Sequence, residues 1–185
     1  VEVQKTRDGE VVEEDLTVDT RTFLYVEVLQ SAIKNNYWLI GRSPARGNET
    51  THFAHLGEDT TGRPERLRNE VGILNVFTWT GVIGVVLFFL VFYQASYLAI
   101  CRSNNIFIKL VGMFVAFRWA YSWVEDYQGF DMNNFVLWLM IGMCLSSSFR
   151  KMNNTQVRLW AWAIFDRKVG LRFERHFQGE LEKSV

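Results

Sequence analysis

Hydrophobic positions in this chain follow two regimes. Up to residue 72 they are spaced and mixed with charge; from Ile73 onward they run together. Val1 to Glu13 alternates loosely around Asp8-Gly9. Both residues tolerate positive φ, so the stretch reads either as a hairpin or as a frayed acidic segment. Asp19 or Thr20 is placed to cap a helix running to about Asn35. Its apolar positions Leu24, Val28 and Ala32 recur every fourth residue, with Tyr25, Leu29 and Ile33 widening the stripe. Asn35-Asn36 ends that helix, Tyr37-Trp38-Leu39-Ile40 follows, and Gly41 to Gly47 forms a loop holding Arg42 and Arg46. From Asn48 to Arg68 neither period is present, which predicts a long loop.

Three apolar stretches come next, at about 73–100, 106–124 and 132–149. The first is uncharged from Val71 to Cys101, and about 20 helical residues cross a bilayer core. The second carries Lys109 near its start and Arg118 inside it; the third is uncharged. The pattern predicts an all-α integral membrane protein. Residues 1–72 form an extracytoplasmic helix and loop region, three transmembrane helices follow, and residues 150–185 are a basic tail. Trp160, Trp162 and Phe165 in that tail suit a membrane interface.

The charge total conceals this organisation. The chain has 20 Lys+Arg and 20 Asp+Glu, and its mean hydropathy is −0.01. Residues 1–72 hold 9 cations and 13 anions, whereas residues 73–185 hold 11 and 7. A long uncharged run excludes a simple soluble enzyme, and the basic stripe of a nucleic-acid binder is missing. Cys101 and Cys144 provide neither a disulfide framework nor metal-ligand spacing. Arg102, Lys109 and the tail cations lie on connections opposite to Glu125, Asp126 and Asp131. The positive-inside rule therefore places residues 1–72 outside and the C-terminus in the cytoplasm. The start at Val1, without a basic leader, reads as the C-terminal piece of a longer polytopic chain whose remainder lies upstream.

The order of short motifs resembles the O-antigen polymerase and ligase superfamily of bacterial inner-membrane glycosyltransferases. Arg21 opens a helix, and Asn36 to Pro44 closes it. Arg68-Asn69-Glu70-Val71-Gly72-Ile73-Leu74-Asn75 then leads into Thr80-Gly81-Val82-Ile83-Gly84. The resemblance covers residues 20–100. It departs from the family pattern where Arg68 replaces a His before Asn69, and where Arg42-Ser43 replaces the second Gly of the turn. The missing His favours a polymerase or a divergent relative over a ligase. The resemblance implies transfer of a glycan from a polyprenyl diphosphate to a sugar hydroxyl in O-antigen, capsule or exopolysaccharide synthesis, with no cofactor.

Such chemistry needs positive charge around phosphate oxygens, which the planar guanidinium fork supplies without a metal. Arg21, Arg42, Arg46, Arg68 and Arg118 are the candidates for diphosphate contact, and His55 is the candidate general base. Arg63 and Arg66 interleave with Glu65 and Glu70 and read as a solvated face. His52 and His55 with Glu58 and Asp59 lack the tight spacing of a metal site. Arg118 has Glu125 two turns on as an alternative partner, and Trp119 and Trp123 read as an interfacial belt. Asn48-Glu49-Thr50 and Asn153-Asn154-Thr155 match the N-glycosylation pattern. Two other functions fit the same features: a transporter or flippase for lipid-linked oligosaccharides, and a non-enzymatic membrane anchor.

Overall fold

The computed structural model describes residues 2–7, 10–15, 20–50, 62, 64–127, 129 and 131–165, with residues 2–20 as backbone alone. Most of these are helical. Contacts divide the chain into two compact units, residues 1–85 and 86–185. The division falls inside the longest helix rather than at residue 72.

In the first unit, β1 (Glu2–Arg7) and β2 (Glu10–Asp15) pair antiparallel with Glu2 opposite Asp15, as a hairpin requires; Asp8 and Gly9 lie outside the described residues. Helix α1 (Thr20–Lys34) buries the Leu24, Val28 and Ala32 stripe. Asn36 terminates it at φ 54. The Asn36 N–H donates to Ile33 O (3.2 Å) and the Tyr37 N–H to Ala32 O (3.0 Å), the paired bonds that close a helix on a left-handed residue. Two-residue strands β3 (Asn48–Glu49) and β4 (Glu65–Arg66) pair antiparallel within the stretch expected to be irregular.

Helix α2 (Gly72–Cys101) is long and apolar enough to cross a membrane. It is broken at Gly81 (φ 66, ψ −168). Before the break, every residue from Gly72 to Val76, and Thr78, is buried; after it, Val82, Ile83, Val86, Leu87, Phe89 and Leu90 are exposed.

In the second unit, α3 (Ile106–Tyr121) starts on Asn105, whose side chain accepts from the Ile108 N–H (2.9 Å). Helix α4 (Met132–Leu145) starts on Asp131, which accepts from Asn134 (2.8 Å). Both stop short of the expected ends at 124 and 149. The Ser122 hydroxyl donates to Trp119 O and closes the last turn of α3, and Ser146 turns extended after α4. At 16 and 14 residues these two helices do not reach the length of α2, so among the described residues one helix has spanning length. Helix α5 (Ser147–Lys151) follows, and α6 (Asn154–Phe165) occupies the start of the basic tail. Phe92, Ala95 and Ala99 of α2 form the core with Ile108 and Val115 of α3 and Leu137, Ile141 and Cys144 of α4. A Cβ at Gly112 would overlap the Ala99 methyl, which marks a close approach of α2 and α3. Trp119 packs on Phe88, Phe89 and Phe92 in this unit, and its neighbour Trp123 meets it edge-on.

Candidate functional site

The break in α2 is built from two of the short motifs. An unbroken helix would bond Val82 N–H to Thr78 O and Ile83 N–H to Trp79 O. Here Thr78 O accepts from Arg42 N–H (2.8 Å) and Trp79 O from Ser43 N–H (3.0 Å). Val82 N–H donates to Trp38 O (2.9 Å) and Ile83 N–H to Leu39 O (3.3 Å). The loop from Trp38 to Ser43 thus satisfies all four backbone groups that the break releases. Glycine is required on both sides of this junction. Gly41 has φ 82, and a Cβ there would collide with the backbone of Trp79 and Thr80; a Cβ on Gly81 would collide with Leu39 and Ile40.

Beside the junction, the carboxylate of Glu65 is buried. Arg46 grips it with two guanidinium nitrogens, Nε lying 3.0 Å from Oε2. Arg42 Nη2 lies 3.5 Å from Oε1, and the Gly47 N–H also donates to the carboxylate (3.4 Å). The Arg46 hydrogen bonds, aided by the charges of Arg42 and Arg46, hold the Glu65 carboxyl below its ordinary range despite burial. Arg42 also donates to Gly47 O (3.0 Å) and lies 4.9 Å from the centre of the Tyr37 ring. Among the described residues two guanidinium groups meet this one carboxylate, and the charge of Glu49, itself paired with Lys34, also reaches both arginines.

An amide network underlies the corner. Asn69 Nδ2 donates to Asn48 Oδ1 (3.1 Å). Asn75 accepts from the Asn69 N–H (2.7 Å) and donates to its carbonyl (2.9 Å), so its side chain pairs with that residue's backbone as a strand would. All three side chains are buried. Asn69 Oδ1, Thr78 Oγ1 and Trp79 Nε1 are buried without a partner among the described residues. Burial of Asn48 closes the first glycosylation pattern in this fold. Asn153 of the second pattern caps α6 instead, through reciprocal bonds with Gln156 (2.8 and 2.9 Å).

The structure brings together Arg42 and Arg46 of the expected site on the Glu65 carboxylate. Arg21 is exposed in the first turn of α1, and Arg68 is exposed with its carbonyl accepting from Arg66 Nε (3.1 Å). His55 lies outside the described residues. In the second unit the Arg118 guanidinium sits 3.9 Å from the centre of the Tyr127 ring. It lines a cavity of about 340 Å³ with Asp126, Asp131 and Asn133, so carboxylates share its surroundings. Burial pushes the Tyr127 hydroxyl up to about 12, with Arg118 opposing.

Glu65, Asn48 and Asn75 were not among the residues expected from sequence. A lone Asn near the start of an apolar helix was the one available signal, for Asn75; the pairing of Arg46 with a carboxylate 19 positions away leaves no local trace. A separate groove of about 610 Å³ follows α1 past Glu27, Gln30, Ser31 and Lys34 toward Glu49, which accepts from Lys34 Nζ (2.7 Å). No family model, curated protein or solved structure matches the chain.

Proposed function

We propose that this protein is a membrane glycosyltransferase that moves oligosaccharide repeat units from a polyprenyl diphosphate, as its resemblance to the O-antigen polymerase and ligase superfamily implies. The observation that carries the reading is the junction at Gly41 and Gly81. The two segments quoted for the resemblance, 36–44 and 80–84, meet there through two backbone bonds, two more tie the first segment to Thr78 and Trp79 just before the second, and Arg42 lies on the junction itself. Arg42 and Arg46 offer positive charge to a diphosphate, with Arg21 and Arg68 as exposed cations in the same unit. In this reading α2 beyond Gly81 spans the bilayer of a bacterial inner membrane, and α3 and α4, at ~24 and ~21 Å, are accommodated by local thinning. Residues 1–72 lie outside the cytoplasm and the C-terminus inside it.

The transporter alternative rests on the same break, because transporters bind substrate at interrupted helices. In those proteins the freed backbone groups face the substrate. Here the loop occupies all four, which favours a fixed scaffold over a transport site.

The test is glycan transfer by the full-length protein in proteoliposomes supplied with a polyprenyl-diphosphate-linked oligosaccharide. Arg42→Ala is expected to lower transfer about 100-fold, as removal of a charge-stabilising donor does. Arg42→Lys does not restore it, since the fork is lost. Wild-type rates from the Ala variants of Arg21, Arg42, Arg46 and Arg68 would refute the assignment.

A further inference from the structure

The end of the second unit near Cys101 carries a basic pocket that the transfer reading does not use. Gln94 and Tyr97 of α2, Arg102 after it, and Ser147, Arg150 and Lys151 of α5 line a cavity of about 490 Å³. That volume falls within the range of small-ligand sites. Three cations line it, and none of its described lining residues is acidic. Carboxylates of the described part of this unit, Glu125, Asp126 and Asp131, all belong to the connection between α3 and α4.

The cations are held close by the backbone. Asn104 N–H donates to Arg150 O (2.9 Å), and Asn104 Nδ2 to Lys151 O (3.3 Å). Asn105 Nδ2 donates to both Phe149 O and Met152 O (2.9 Å each), while the Ile106 N–H donates to Asn154 Oδ1 (2.9 Å). This bracket ties the turn after α2 to the turn around α5, fixing Arg102 beside Arg150 and Lys151. Arg150 Nε is buried with no acceptor among the described residues, although Nη2 reaches Leu145 O (3.4 Å). A buried guanidinium nitrogen without an acceptor is costly, and crowded like charges add to that cost. A phosphate in the cavity offsets the crowding of the three cations.

We propose that this pocket binds a phosphate group, and that the group is the head of an anionic phospholipid. Exposed Tyr93, Tyr97 and Ile100 on the adjoining turns of α2 provide apolar surface for its acyl chains. The lipid source rests on the membrane reading above; the phosphate chemistry does not.

The experiment measures lipid retention by the purified full chain in nanodiscs of phosphatidylglycerol and phosphatidylcholine, with a parallel titration of inorganic phosphate in detergent. The wild type is expected to retain phosphatidylglycerol selectively. Arg102→Gln with Lys151→Gln, both at exposed side chains, weakens retention roughly 10–30-fold. Arg150→Gln does the same, and Arg150→Lys restores part of it. Lys109→Gln, exposed and outside the pocket, leaves retention unchanged. Equal loss in Lys109→Gln would reduce the effect to diffuse attraction and overturn the proposal, as would no preference for either lipid or phosphate. Tight inorganic phosphate binding that the pocket variants abolish, without lipid selectivity, supports the phosphate site and refutes the lipid source. A chain that purifies without detergent refutes the membrane reading, while the phosphate titration still decides the pocket.

Discussion

Residues 72–80 and residues 82–101 belong to one helix and one uncharged stretch, yet their surroundings are opposite. The first segment is buried from Gly72 to Val76 and at Thr78 and carries Asn75, Thr78 and the exposed Thr80, of which Asn75 is bonded to the Asn69 backbone and Thr80 to its own helix at Val76 O (2.6 Å). The second exposes large apolar side chains around most of its circumference. It is about 20 residues long, close to the ~30 Å of a bilayer core. Hydropathy alone joins the two; backbone chemistry divides them at Gly81. A glycine with a loop of matching hydrogen-bond pattern lets a buried segment become one that exposes apolar side chains without a polar linker.

The sharpest way to break that division is Gly81→Val. A β-branched residue at φ 66 is strained, and its Cβ collides with Leu39. Loss of about 3–5 kcal/mol is expected, read as protease sensitivity of residues 20–80 while membrane integration persists. Gly142→Ala, where a Cβ meets nothing, serves as the silent control. Next in size, Leu90→Lys places a charge in the exposed segment and should oppose membrane insertion by about 2.5–3.5 kcal/mol in a glycosylation-reporter assay. The first unit should still fold. Asn75→Ala acts on the other side of the break. It leaves the buried N–H and C=O of Asn69 without their partner and should cost about 1–3 kcal/mol, seen as a lower melting temperature of residues 20–80.

Much of α1 was legible because its packing is periodic: Leu24, Val28 and Ala32 fall on one face, and Asn36 supplies the left-handed stop. The starts of α3 and α4 were legible for a similar local reason, a polar residue before an apolar run. The break was not. One non-helical residue among apolar neighbours leaves the period intact on both sides, and its partner loop lies 40 positions earlier. The ends of α3 and α4 were overextended because Ser122 and Ser146 stop the backbone while the apolar composition continues. At the candidate site, the arginines were visible as charges, but the carboxylate that gathers Arg42 and Arg46 became visible only in three dimensions.

The smallest expected effect concerns Glu65. Its folded pKa lies below the ordinary value of 4.5, so its contribution is complete above that value and is lost as pH falls through the folded one. Trp38 and Trp79 fluorescence should therefore report weakening of the first unit in mild acid, with residues 86–165 unaffected. Glu65→Gln should reduce that acid limb, leaving the share due to Glu49, whose pKa the Lys34 hydrogen bond lowers.

Helix α2 changes environment at Gly81, and site-directed spin labelling reads that change position by position. Single labels at each position from Ile73 to Ile100, in a background with Cys101 and Cys144 replaced by Ser, are scored for collision with oxygen and with a water-soluble nickel complex. Low accessibility to both reagents is expected from Ile73 to Val76 and at Thr78, and high oxygen accessibility at the exposed positions from Val82 to Ile100, with minima at the buried Phe92, Ala95 and Ala99. Oxygen accessibility already high at Ile73, or nickel accessibility throughout residues 82–100, would contradict that change.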